Sequence, residues 1–273
     1  LKWSGVAVVA IVAVVVTVLV LTRDDETEEA VIDKDLGAIP TFASEPIALP
    51  RLPFTDITAA SGVDFIHENG ATGEKLLPET MGGGVAFLDY DVDGDPDLLC
   101  INGTTWPHDP PRAGEPATLR LYANDGRGRF TDVTVAVGLD VSLYGMGVAV
   151  ADLDGDDRPD IYVTAVGGNR LFRNEPGGFR DVTAAAGVAG DVSTWSTSAG
   201  FLDYDRDGDL DLFVCNYIGW DRDLDFEIGY SLNGRDRAYG PPTDYPGRHP
   251  YLFRNRGDGT FDEVSAEAGL HVV

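Results

Sequence analysis

The chain is poor in cysteine, histidine and positive charge: 273 residues hold 2 Cys, 4 His and 20 Lys plus Arg, against 46 Asp plus Glu. A formal charge of -26 and a pI near 4.2 argue against nucleic-acid binding, which needs a basic face. Cys100 lies three residues past Asp97 and Cys215 four past Asp211. They therefore point to opposite faces of equivalent strands, and buried thiols are expected rather than a disulfide. Catalytic signatures are missing as well: there is no G-x-S-x-G, no Walker loop and no H-E-x-x-H. The triplet Gly82-Gly83-Gly84 lacks the Lys-Ser/Thr of a phosphate cradle. Small residues recur five before each acidic loop described below (Gly84, Gly147, Ser198) and three before it (Ala86, Ala149, Gly200), a face suited to crowded inner strands. His67-Glu68 and Glu79 are the available acid–base pairing, but a lone histidine in a polar connector is ordinarily just solvated.

Against these gaps stands "DYDVDGDPD", Asp89 to Asp97, with aspartate at every second position. The pattern returns as "DLDGDDRPD" (Asp152 to Asp160) and "DYDRDGDLD" (Asp203 to Asp211). Crowded carboxylates repel unless something positive sits among them. Ca²⁺ takes six to eight oxygen ligands, and aspartates at loop positions 1, 3 and 5 can converge on one ion. These are Asp89, Asp91 and Asp93; Asp152, Asp154 and Asp156; Asp203, Asp205 and Asp207. Position 7 (Asp95, Arg158, Asp209) offers a carbonyl, and position 9 (Asp97, Asp160, Asp211) closes the shell. Gly94 and Gly208 permit the turn at position 6, where Asp157 stands in the second loop and is expected to weaken it. About three calcium ions are expected, and the loops hold 15 of the 46 acidic residues.

An EF-hand begins in the same way but requires glutamate at position 12, where this chain has Cys100, Val163 and Val214. The flanks, "GVAFL" with "LLCIN" and "GVAVA" with "IYVTA", are short, apolar and β-branched, so they read as strands. Each loop is thus the turn of a hairpin. A second hairpin follows in "LYANDGRGRF", "LFRNEPGGF" and "LFRNRGDGTF". Its last strand, starting at Phe130, Phe179 or Phe261, is expected to continue through "FTDVTVAVGL", "FRDVTAAAGV" or "FDEVSAEAGL", and "FTDITAASGV" at Phe54 is a lone fourth copy. The loops begin at 89, 152 and 203, so units of 63 and 51 residues carry four antiparallel strands each. That is the pattern of β-propeller blades in an all-β fold.

From about Phe54 onward the chain resembles the FG-GAP/VCBS repeats of integrin-α-type β-propellers. Within it, "GEKLLPETMGGGVAFLDYDVDGDPDLLCING" is similar to the cartilage acidic protein (ASPIC/UnbV) family. The resemblance implies a seven-bladed propeller with structural calcium and a role in adhesion or recognition; it does not imply a catalytic activity. Three complete blades are legible over residues 54–273, and the reading is of a fragment of a longer propeller, or of a chain that associates to cover its open edges.

Residues 3–22 carry no charge and are long enough to cross a bilayer, so 1–23 is expected to be a signal anchor or transmembrane helix, with a cleaved signal as the alternative. Residues 24–53 are acidic and proline-bearing, an extended linker. Simple loops of this kind suit extracellular calcium, which points to the cell surface or to secretion. The sequon Asn102-Gly103-Thr104 is a glycosylation site where the host has that machinery. Long segments at 103–118 and 216–249 carry Trp106, His108, Trp220, Tyr239 and Tyr245, and Trp195 falls in an inter-blade connector. These are the residues expected to contact a protein or glycan partner, the alternative being that they pin long loops onto the blades. Two functions follow: a membrane-anchored calcium-binding adhesion or recognition propeller, or an extracellular carbohydrate-active enzyme with the propeller as scaffold.

Overall fold

Among the described residues, twelve strands form three antiparallel sheets of four, each a simple meander in chain order. The first holds β1 (Val85–Leu88), β2 (Asp97–Cys100), β3 (Arg120–Asn124) and β4 (Phe130–Asp132). The second holds β5 (Gly145–Ala151), β6 (Asp160–Ala165), β7 (Arg170–Glu175) and β8 (Gly178–Asp181). The third holds β9 (Thr194–Leu202), β10 (Asp211–Gly219), β11 (Tyr251–Asn255) and β12 (Phe261–Glu263). The computed structural model describes residues 54–109 and 119–271. Residues 55–273 form one compact unit. The helix expected over 1–23 and the linker over 24–53 lie outside the described residues, none of whose helices is long and apolar enough to cross a membrane.

The three sheets are propeller-like blades, and the apolar pattern explains how they stack. Between the first and second blades, Leu88, Leu99 and Leu121 pack against Ile161, Val163 and Phe172. Between the second and third, Tyr162 and Leu171 pack against Leu212, Val214 and Phe253. The two cores use equivalent positions, because alternation along a strand sends odd and even residues to opposite neighbours. Val148 and Val150 of β5 pack against the first of these cores. Their equivalents on β1, Val85 and Phe87, stand 61% and 67% exposed.

The first strands of neighbouring blades meet at their small residues. A Cβ on Gly84 would lie 3.1 Å from the Gly147 Cα, and one on Gly147 would lie 2.4 Å from the Thr197 carbonyl oxygen. Gly83 and Gly84 of the triplet are therefore packing devices, Gly84 as its small-residue register implied, whereas a Cβ on Gly82 would meet no atom within 4 Å. Gly84 just before β1, Gly147 of β5 and Ser198 of β9 are the small residues that let backbone approach backbone.

The fourth strands are shorter than expected. Each stops at Asp132, Asp181 or Glu263, and the chain then winds one tight turn closed by a left-handed glycine (Gly138 φ 77°, Gly187 φ 78°, Gly269 φ 75°). The cause is local hydrogen bonding that competes with the ladder. Asp132 Oδ1 accepts the Thr134 N–H at 2.9 Å, and Asp181 Oδ1 accepts that of Thr183 at 2.9 Å. The hydroxyl of each threonine then accepts a third-strand N–H, from Leu121 at 3.0 Å and from Leu171 at 2.8 Å. Ser265 does the same for Leu252. The fourth copy of this segment is likewise a one-turn helix, Thr58–Ser61, rather than a strand. Gly62 behind it meets the Phe130 carbonyl, as Gly138 meets that of Phe179. The lone copy thus occupies, against the first blade, the place that the first blade's closing turn occupies against the second.

Gly147→Ala should lower unfolding stability by about 1–3 kcal/mol through the backbone clash. A Cβ on Gly200, three residues before the third loop, would meet no atom within 4 Å. Gly200→Ala should stay within about 0.5 kcal/mol of the parent in urea titration. Equal effects of the two would contradict the crowding at Gly147.

Candidate metal centres

The three acidic loops join the first strand of each blade to the second. In every case the ninth residue begins the second strand and pairs with the last residue of the first: Leu88 with Asp97, Ala151 with Asp160, Leu202 with Asp211. Positions 4 and 6 are left-handed throughout: Val92 and Gly94, Gly155 and Asp157, Arg206 and Gly208. Each loop thus has one glycine and one side-chain-bearing residue in these two places. The second loop only exchanges them, so Asp157 (φ 66°) does not set it apart as the weak loop. The β-branched Val92 (φ 64°) is the more strained substitution.

Carboxylates fold the loops inward. Asp89 accepts the N–H groups of Asp93 at 3.0 Å and Gly94 at 2.9 Å. Asp152 accepts those of Gly155 at 2.8 Å and Asp157 at 2.9 Å. Position 5 accepts the N–H of position 7, as Asp93 does from Asp95, Asp156 from Arg158 and Asp207 from Asp209. The side chains of Asp95 and Asp209 lie instead over Gly126 and Gly257 in the neighbouring hairpin turn.

Position 9 has a second task besides ligation. Asp97, Asp160 and Asp211 are almost fully buried. One oxygen of each accepts an N–H inside its own loop, from Tyr90 at 3.0 Å, Leu153 at 3.1 Å and Tyr204 at 2.7 Å. The other accepts the N–H of the third-strand asparagine, Asn124, Asn174 or Asn255, at 2.8 Å each. The amide of that asparagine donates in turn to a loop carbonyl: Pro96 at 2.9 Å, Tyr90 of the preceding blade at 2.7 Å, or Leu210 at 3.1 Å. The signal was present as the repeated Asn of "LYAN", "LFRN" and "LFRN".

The donor set suits a hard cation. Two oxygens bound to one Ca²⁺ at about 2.4 Å lie no more than about 4.8 Å apart. One oxygen from each of Asp89, Asp91 and Asp97 meets that limit, as do Asp152, Asp154 and Asp156, and Asp203, Asp205 and Asp211. The fifth position joins the cluster only in the second loop, and the ninth only in the first and third. Without an ion the sites are strained electrostatically. Loss of water raises the Asp91 pKa, and the neighbouring Asp93 and Asp89 raise it further. Burial lifts Asp97 against its hydrogen bonds, and lifts Asp160 to about 6. Asp205 is raised by desolvation and by Asp207 and Asp211. A divalent cation among these oxygens would favour the ionised forms.

At the opposite end of the blades the expected surface aromatics are mostly inside. Trp106, Trp195, Trp220 and Tyr245 are buried in one cluster with Leu76, Leu77, Tyr144, Met146 and Ile218. Trp106 stacks on Tyr144 at 4.4 Å and contacts Trp220 at 5.1 Å. Trp195 belongs to β9 rather than to a connector, and it is fully buried. These four rings are therefore not presented at the surface; they pin long segments onto the blades, the alternative weighed above. Apolar area decides this, because burying a large ring removes 150–250 Å² from water. Tyr239 is the most exposed of the aromatics in the set, and its hydroxyl donates to Glu79 Oε2 at 2.9 Å. Burial and that carboxylate push the Tyr239 pKa up to about 12. His108 lies 3.0 Å from Glu74. Glu74 also takes a two-pronged pair from Arg222 at 2.6 and 3.1 Å, and Arg222 begins the helix Arg222–Ile228. The buried Asp225 accepts from the Leu77 N–H, the Trp220 indole and Arg237, at 2.9, 2.7 and 2.7 Å.

Of the acid–base residues, His67 accepts the Gly83 N–H at 3.2 Å and Glu79 is buried beside Tyr239. The sequon Asn102 is buried too, accepting the Glu68 N–H at 2.7 Å and donating to the Ile66 carbonyl at 3.3 Å, so it is not displayed for glycan addition. Cys100 and Cys215 are free thiols, the first pushed to a higher pKa by burial.

Residues 89–163, spanning the first two loops, match the family model of the FG-GAP-like repeat. Cartilage acidic protein 1 of Xenopus tropicalis is 33% identical over 193 residues, which cover 67% of this chain and 27% of that protein. The Mus musculus protein of the same name is 27% identical over 250 residues, covering 71% of this chain and 36% of its own length. That of Homo sapiens is 26% identical with the same coverage. The chain spans about a third of the length of the curated relatives it matches.

The two roles of aspartate separate in a mutational test. Asp205→Ala removes a repelling carboxylate, so in EDTA it should leave stability unchanged or slightly raised. Asp211→Ala strands the Tyr204 and Asn255 N–H groups and should lose about 1–3 kcal/mol already in EDTA, and more in calcium, where a ligand goes as well. Equal behaviour of the two in chelator would contradict the assignment of position 9 as a tie.

Proposed function

As an FG-GAP-repeat protein related to the cartilage acidic proteins, this chain is, we propose, an extracellular module in which calcium stiffens the blades for adhesion or recognition of a protein or glycan. One observation carries the proposal: three equivalent hairpin loops each bring three carboxylate oxygens within reach of a single ion. The relatives' name joins cartilage with acidity, and this chain shares the acidity, with a formal charge of -26. Simple aspartate loops of this type suit the millimolar calcium found outside cells. The uncharged run over residues 3–22 is the segment that would hold the module at a membrane.

Asp89, Asp91 and Asp97 would hold the first ion, Asp152, Asp154 and Asp156 the second, and Asp203, Asp205 and Asp211 the third. The bound ion supplies charge neutralisation and fixed geometry. The protein's own residues do the rest: Asp97, Asp160 and Asp211 carry that rigidity into the third strands through Asn124, Asn174 and Asn255. Blade ends so fixed would present the surrounding surface in one conformation, which lowers the ordering entropy of partner binding.

Isothermal calorimetry of EGTA-stripped protein should show about three bound calcium ions per chain. Saturating calcium at about a hundred times Kd should stabilise the fold by about 2.7 kcal/mol per independent site. Identical melting in EGTA and in millimolar calcium would contradict the proposal.

A further inference from the structure

Among the described residues the second loop differs from its two equivalents by an ion pair made to one of its clustered carboxylates. The Arg173 guanidinium lies 3.3 Å from Asp154, the third-position carboxylate of that loop, and both side chains are only part-exposed. The equivalent third-strand positions do not reproduce this contact: the first blade has Ala123, and Arg254 of the third pairs with Asp262 at 3.5 Å. Arg173 also lines a water-sized cavity with Asp160 and Asn255, and a cleft of about 450 Å³ that opens between the second and third loops. The second loop is also the one whose carboxylate cluster omits the ninth position.

We propose that Arg173 is a built-in competitor for calcium at the second loop, which makes this the weakest of the three sites and the last to fill. The inference rests on the calcium reading above and goes beyond it. A guanidinium at ion-pair distance takes up part of the negative charge of Asp154 and repels an incoming divalent cation across a few ångströms. In the calcium-free protein the same pair offsets carboxylate repulsion that, among the described residues, backbone N–H groups alone oppose in the other two loops. Arg173 therefore stabilises the empty loop and weakens the filled one. A residue that only orients Asp154 for the ion would act in the opposite direction on binding, because lost orientation lowers affinity.

Arg173→Gln keeps length and polarity but removes the charge. Calorimetric calcium titration of the intact chain should show the weakest of three sites tightened about three- to tenfold, with the other two unchanged. In EGTA the same variant should melt below the parent. Arg173→Lys should keep both properties near the parent, and Arg254→Gln should alter no calcium site. Loss of calcium affinity in Arg173→Gln would overturn the proposal in favour of a positioning role, and an unchanged titration would overturn it outright. Three ions bound by the parent with no response to Arg173→Gln would sink this inference alone, whereas no ion bound by the parent would sink the calcium reading and this inference together.

Discussion

Repulsion among carboxylates at the tip of each inner hairpin is the constraint around which the blades are built. Each of the three loops carries five aspartates within nine residues. Left alone, such a tip would open into solvent, because like charges a few ångströms apart disfavour one another. Two devices oppose this. Backbone N–H groups turn inward onto Asp89 and Asp152, which folds the loop around its own charge. The buried carboxylates of Asp97, Asp160 and Asp211 bind N–H groups both within the loop and on the third strand. What remains is a set of convergent oxygens, partly offset only at Asp154 by Arg173 among the described residues, and that remainder of negative charge is the candidate site.

The two ends of a blade are consequently held by different physics. At the acidic end, order comes from charge and hydrogen bonds, and this is where a bound cation would act. At the other end it comes from apolar area, with Trp106, Trp195, Trp220 and Tyr245 closing over the strand ends. The ionic groups there are paired internally, Asp225 with Arg237 and Glu74 with Arg222. Between the ends, Gly84, Gly147 and Ser198 set how closely neighbouring blades approach.

Much of this was legible in the chain. Alternating apolar residues and three copies of one acidic loop gave the hairpins, their order and the ligand candidates, since β periodicity and turn chemistry are local properties. Four features were not legible, for four reasons. The fourth strands end early because Asp132 and Asp181 capture backbone N–H groups, a competition that apolar pattern does not report. Trp220 in a long polar segment has the same sequence signature whether it faces a partner or, as here, a core. The left-handed backbone at Val92 and Arg206 contradicts residue preference and arises only from closure of the whole loop. Asn124, Asn174 and Asn255 stood in plain view in the repeat, yet their role appears only when the third strand is placed beside the ninth loop residue.

The most direct test of the central claim, that these loops are cation clamps, is anomalous diffraction from crystals grown in millimolar calcium. The account predicts three anomalous peaks per chain, each about 2.3–2.6 Å from carboxylate oxygens. They should lie beside Asp89 and Asp91, beside Asp152 and Asp154, and beside Asp203 and Asp205. Crystals that diffract well, with the loops folded as described and no anomalous density at any of the three, would contradict it.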